Sequence, residues 1–226
     1  MARAVKRKRT YNAALRQEQA KATRARIVEA GRRLLAKGTY SSVTIEEIAE
    51  EAGVSYQTVY AVFGTKLQLA HAIIEVGFHF EGVEERAAEF ARSRDPEVWL
   101  RGVAQISRSI QERCADLFRF MRESGDPQLL ARYREHQTLR FTQEGFLPDM
   151  LAKSGRLRPG LSQPEVLAVI WALSGNDLYS MLVLDRGWTA ARYEEWFGSA
   201  LIDLLLVAGS ATDLPKPGTA RRRREA

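Results

Sequence analysis

Apolar positions along this chain recur at helical rather than strand spacing. Ile27, Ala30, Leu34 and Leu35 share one face of a helix predicted over about 16–37, which stops at Gly38. Thr44-Ile45-Glu46-Glu47 has the form of a capping box, in which hydroxyl and carboxylate each satisfy an orphan amide at a helix start. The short helix it opens ends at Gly53; Ser55 then caps a second helix through Phe63, and Thr65 a third that carries Leu69, Ile73 and Ile74. Asp95-Pro96 and Asp126-Pro127 each read as an N-cap followed by proline at the first helical position. They predict two further helices with a short one around 115–122 between them, the second kinked or ended at Pro148. A turn follows over 155–160, then two long apolar helices at about 163–185 and 189–208. No Asn-Gly or Asp-Gly pair sits between alternating apolar residues, so no hairpin is predicted.

Charge divides the chain unevenly. Residues 1–70 hold 13 Lys and Arg against 6 Asp and Glu, while the remaining residues carry a net −1, so the +6 of the whole chain is concentrated in its first third. That asymmetry points to a polyanionic partner for the N-terminal part. The stretch from Arg3 to Arg9 is expected to form part of a disordered basic arm over 1–15 that adds contacts in a minor groove. The tail over 210–226, with Pro215, Pro217 and Arg221 to Arg224, is likewise expected to be disordered. The single cysteine, Cys114, forms no internal disulfide and no thiolate metal site. The longest uncharged apolar run near the C-terminus, 166–176, falls short of the roughly 20 residues of a bilayer-crossing helix. The basic N-terminus has no apolar core behind it and is not read as a secretory signal. A cytoplasmic protein without membrane association is expected.

The stretch from Thr44 to Phe63 has the pattern helix, short turn, helix. Ile45, Ile48 and Ala49 form the apolar face of the first helix; Val54 packs at the turn; Val59 and Phe63 face back from the second. Tyr56, Gln57, Thr58 and Tyr60 are left with few packing duties at the N-terminal half of the second helix, the part that meets base edges when such a helix enters a major groove. Gln57 can bond adenine bidentately, Thr58 can touch a thymine methyl, and tyrosine hydroxyls suit phosphate oxygens. Lys66, at the next helix start, places a cation where a phosphate can approach.

Thr23-Arg24-Ala25-Arg26-Ile27, Thr44-Ile45-Glu46-Glu47-Ile48-Ala49, Ala52-Gly53-Val54-Ser55 and the run from Thr58 to Leu69 together resemble the signature of the tetracycline-repressor (TetR) family. The resemblance covers about residues 20–70; beyond residue 75 it is only in kind. It implies that Thr44, Tyr60 and Lys66 match positions that touch the DNA backbone, and that Ser55, Tyr56, Gln57 and Thr58 match those that choose sequence. Two departures stand out. Gln57 replaces a frequent glycine and suggests an added base contact, and Val62 replaces a frequent histidine or tyrosine and removes a backbone one.

The two final helices carry more apolar surface than one core-facing stripe needs: Val166, Ile170, Trp171, Leu178, Met181 and Leu184 on the first, Trp196, Phe197, Leu201 and Leu204 on the second. Such helices are buried on more than one side, either within one subunit or against a second copy as a two-fold four-helix bundle. The resemblance implies the homodimer, through 163–185 and 189–208, and the dimer predicts a palindromic double-stranded DNA operator. Aromatics between the two regions are usually core; as a group, the resemblance suggests that Phe78, Trp99, Phe118, Met121, Tyr133, Phe141, Trp171 and Tyr179 enclose a pocket for a small apolar or aromatic effector. Cys114, His71, His79 and His136 match no nucleophile, zinc or phosphate-loop pattern, so neither an enzyme nor a cofactor or metal site is expected. The expectation is an all-α transcriptional regulator, a ligand-responsive repressor. Its domains are a three-helix helix-turn-helix DNA-binding domain over 16–64 and a larger helical effector-binding and dimerisation domain over 65–209.

Overall fold

The computed structural model describes residues 2–80 and 82–207, with side chains from Leu15 onward; the tail expected over 210–226 lies outside the described residues. Its helices are α1 (Ala2–Lys37), α2 (Ile45–Ala52), α3 (Tyr56–Phe63), α4 (Lys66–Gly77), α5 (Val83–Ala91), α6 (Pro96–Glu123), α7 (Pro127–Glu144), α8 (Leu147–Lys153), α9 (Gln163–Leu173), α10 (Asn176–Tyr179) and α11 (Ala190–Leu205), with a π-helical turn at Ser180–Asp185 between the last two. Among the described residues there is no strand, only an isolated bridge between Leu157 and Leu206.

The predicted caps form as the sequence suggests. Thr44 Oγ1 accepts from the Glu47 amide at 3.1 Å while Glu47 Oε2 accepts from the Thr44 amide at 2.7 Å, and Gly53 ends α2 in the left-handed conformation at φ 64°. A cap of this kind is worth about 1 kcal/mol. Asp95 and Asp126 cap α6 and α7 through the amides of Glu97 and Gln128, at 2.9 and 2.8 Å.

Four expectations change. The backbone of the stretch expected as a disordered arm continues α1 from Ala2, in a segment free of proline and of glycine before Gly31 and rich in Ala, Lys and Arg. The short helix expected around 115–122 does not exist separately: α6 runs unbroken for 28 residues, since no proline or glycine interrupts it after Gly102 and its apolar face is buried to Met121. α5 was not foreseen: it starts after Gly82 with no side-chain cap, and none of its residues is fully buried. α4 stops at Gly77, so His71 lies on it and His79 does not. The helix expected over 163–185 breaks at Ser174 and the extended Gly175, then resumes as α10 and the π-helical turn. Taken as one stretch, 163–185 has the length and apolar composition to cross a membrane; here Val166, Ile170 and Tyr179 are buried in the protein interior.

Packing resolves into two apolar clusters joined by α6. The first gathers α1 to α4 (Ile27, Ile48, Val59, Phe63, Leu69, Ile73) against the second half of α6 and the start of α7 (Leu117, Phe118, Met121, Leu129). The second joins the first half of α6 (Trp99, Leu100, Ala104) to α8, α9 and α11 (Leu151, Ile170, Phe197, Leu201). Each fully buried side chain of this size contributes about 1.5–3 kcal/mol. Arg32 reinforces the contact between α1 and α6, pairing with Asp116 at 3.2 Å and donating to the Arg113 carbonyl.

Candidate DNA interface and ligand cavity

α2 and α3 pack through Ile48, Ala49, Ala52, Val59 and Phe63, which leaves one side of α3 in solvent. Ser55, Tyr56, Gln57 and Tyr60 are exposed and Thr58 is half-buried. The Ser55 and Thr58 hydroxyls bond each other at 2.8 Å, and Ser55 Oγ accepts from the Thr58 amide at 3.1 Å, so both are partly committed to capping α3. The rings of Tyr56 and Tyr60, one turn apart, stack with centroids 6.2 Å apart and present two phenols side by side. Gln57 stands exposed at the N-terminal end of the same helix.

Lys66 is more constrained than a solvated cation. Its ammonium lies 4.6 Å from the Tyr40 ring centroid and donates to the Tyr40 carbonyl. Burial lowers its pKa, opposed by the negative charge of Glu47. Lys66 therefore fastens the start of α4 to the loop before α2, whose Tyr40 ring in turn packs edge-on to Phe120 of α6 at 5.6 Å. An ammonium has three donors, which leaves capacity for a phosphate.

A cavity of about 950 Å³ opens where the C-terminal end of α4 meets α5, α6, α7 and α8, at the upper end of the range that holds drug-sized ligands. Its apolar wall includes Phe78, Phe90, Trp99, Ile106, Ile110 and Phe118. Gly102 allows α5 to close over α6, since a Cβ there would meet the Phe90 ring at 2.3 Å. The Trp99 indole donates to the Ser93 carbonyl at 2.9 Å. The rest of the lining includes a polar wall: Gln111, His136, Arg140, Glu144, Ser174 and Asn176. His136 lies 4.8 Å from the rings of both Phe78 and Phe118. Burial, with the positive charges of Arg140 and Arg132, pushes it down to about 4, so its imidazole is neutral at neutral pH. Burial also lowers Arg140 and raises Glu144, each countered by the partner 3.4 Å away.

Residues 27–73 match the family described as bacterial regulatory proteins, tetR family. These residues form a tetR-family helix-turn-helix domain. Between 80% and 84% of the chain is similar in fold to the following solved regulators. NalD of Pseudomonas aeruginosa, described as the secondary repressor of the MexAB-OprM multidrug efflux pump, is 22% identical, with 84% of this chain and 98% of NalD covered at a TM-score of 0.63. FadR of Bacillus subtilis, solved with stearoyl-CoA, is 17% identical over 80% of this chain and 98% of its own, at 0.62. A protein of Saccharomonospora viridis described as a transcriptional regulator, solved with choline, is 18% identical over 83% and 100%, at 0.63. Comparison with curated proteins returns no match. At these identities the structural likeness concerns the fold: a tetR-family head followed by a larger helical body.

Measured against that tetR-family frame, the seven candidate DNA contacts Thr44, Ser55, Tyr56, Gln57, Thr58, Tyr60 and Lys66 all fall on α3 or at the starts of α2 and α4. The eight candidate pocket residues divide. Phe78, Trp99 and Phe118 line the cavity. Met121 is wholly buried in the first cluster behind it, and Tyr133 packs against that cluster. Phe141 is exposed and meets Trp171 edge-on at 5.9 Å, while Trp171 lies beneath the Arg140 guanidinium at 5.0 Å. Tyr179 is buried against Tyr193 at 5.0 Å. These five do not reach the cavity, because helical spacing marks an aromatic as packed without saying which side of its helix faces the space. The polar wall was missed for a related reason. Arg140 and Glu144, four apart on a helix, have the spacing of an ordinary solvated pair, and only the fold shows them covered.

Proposed function

We propose that this regulator is a ligand-responsive repressor that binds a palindromic operator as a homodimer and is released when a small molecule fills the cavity. The observation that carries this reading is the span of α4. Lys66 at one end is fastened to the helix-turn-helix through Tyr40, and Phe78, which caps the other end, lines the cavity. Twelve helical residues cover about 18 Å, so a ligand displacing Phe78 acts on a rigid lever whose far end carries the reading head. Effector and operator then oppose each other by equal coupling energies, typically about 1–3 kcal/mol.

In this reading residues 16–64 are the DNA-binding unit and 65–209 the effector-binding and dimerisation unit. Tyr56 and Gln57 read bases, with Ser55 and Thr58 beside them; Thr44, Tyr60 and Lys66 hold phosphates. Dimerisation through 163–185 and 189–208 is supported by Met181 and Leu184, 59% and 51% exposed, and by Leu204 at 47%. The repressor role of NalD and the ligand complexes of FadR and the S. viridis protein support repression and effector control here.

Selection from random duplex DNA, with a Tyr56→Ala, Gln57→Ala double variant alongside, tests the reading. Enrichment of a palindrome that the variant loses or alters is the expected result; no enriched motif at low or moderate salt overturns it.

A further inference from the structure

The polar wall of the cavity has an asymmetry that bears on ligand class. Three side chains of this wall each hold an oxygen, Gln111 Oε1, Glu144 Oε2 and Asn176 Oδ1, that is closed off from solvent and has no hydrogen-bond partner among the described residues, so a donor in the cavity reaches it as the side chain turns inward. Gln111 and Asn176 are each only 4% exposed. The Gln111 amide cannot be turned round to hide its oxygen: its nitrogen donates to the Ser174 carbonyl at 3.2 Å, and a carbonyl only accepts. Glu144 spends Oε1 on the Ser174 hydroxyl at 2.9 Å and on Arg140, which leaves Oε2. Ser174 thus gathers Gln111 and Glu144 to one spot, and Asn176 follows two residues later in the chain.

The two guanidinium groups of the lining are already committed. Arg140 reaches Gln137 Oε1 at 2.9 and 3.3 Å, the Trp171 carbonyl at 2.7 Å, the Ser174 hydroxyl and Glu144. Arg132 pairs with Glu135 at 3.2 Å. Among the described residues the wall therefore offers acceptors and no uncommitted guanidinium for an anion. Buried acceptors without donors are unfavourable, and a ligand supplying N–H groups relieves them.

We infer that the effector is a primary amine on an aromatic or alkyl body. Its ammonium donates to Gln111 Oε1, Glu144 Oε2 and Asn176 Oδ1, and its body packs on Phe78, Phe118 and Trp99. A primary ammonium has three N–H donors for three waiting acceptors, and the negative charge of Glu144 favours the cation. A quaternary ammonium has the charge but no N–H, and a carboxylate brings further acceptors. The inference rests on the cavity being the effector site, as proposed above.

Calorimetric titration of the full chain, free of DNA, with 4-phenylbutylamine, its trimethylammonium derivative, 4-phenylbutanol and 4-phenylbutyrate tests it. The amine is expected to bind at least tenfold more tightly than the other three, and Gln111→Met to reduce that preference. The wild-type series decides the matter alone if the variant does not fold. Carboxylate or trimethylammonium binding as tight as the amine's overturns the head-group assignment and leaves the effector site standing. If none of the four binds, both fall. Operator affinity measured with and without the amine separates the remaining case: amine preference without operator release sinks the release mechanism and keeps the assignment.

Discussion

The thiol of Cys114 on α6 donates to the carbonyl oxygen of Gly77 on α4 at 3.2 Å. Burial pushes that thiol up to about 12, so it remains the protonated donor at any physiological pH. The contact marks a crossing so close that a Cβ on Gly77 would lie 2.1 Å from Leu117 Cδ1. Leu117 is itself 1% exposed and has little room to yield.

Gly77→Ala is therefore expected to force α4 and α6 apart and to cost about 1–3 kcal/mol of stability, read from urea denaturation. Since α4 reaches from the crossing to the reading head, operator affinity should also fall at temperatures where the variant is still folded. Unchanged stability would show that the crossing relaxes freely and cannot act as a fulcrum.

His136 makes stability depend on pH in a definite sense. Its folded pKa of about 4 lies below the 6.5 of an unperturbed imidazole, so between these values the unfolded chain binds the extra proton. The stability it protects is present above pH 6.5 and is lost as pH falls toward 4. Glu144, raised by burial, acts in the opposite direction, which is why a difference measurement is needed. His136→Phe, which keeps a ring between Phe78 and Phe118, is expected to flatten the decline across that window. Parallel wild-type and variant curves of stability against pH would refute the assignment.

Met181 and Leu184 are exposed enough that replacing them costs the single chain little. Met181→Lys with Leu184→Glu is expected to yield a folded monomer in sedimentation, with an unchanged melting transition at low concentration and weak binding to a palindrome. A variant that remains dimeric would place the interface elsewhere.

The helix-turn-helix was legible because its signals are local. Thr44 and Glu47, Gly53, and Ser55 with Thr58 act over three or four residues, and the alternation of buried Val59 and Phe63 with exposed Tyr56 and Tyr60 follows from helix geometry alone. The Asp-Pro pairs at 95–96 and 126–127 fixed the starts of α6 and α7 for the same reason. What followed those starts was less legible: the unbroken length of α6, the presence of α5 and the break at Ser174-Gly175 depend on packing partners far along the chain.

An all-helical chain with a basic, helix-turn-helix head could be read from residue order, because capping, periodicity and charge are carried by near neighbours. Which aromatics face the cavity was set by packing across the fold. Packing alone placed Gln111, Glu144 and Asn176 on the cavity wall with oxygens unpaired among the described residues, and it alone joined Lys66 to Tyr40. Each of these depends on residues brought together across tens of positions, where burial rather than spacing sets whether a polar atom meets water, a partner or neither.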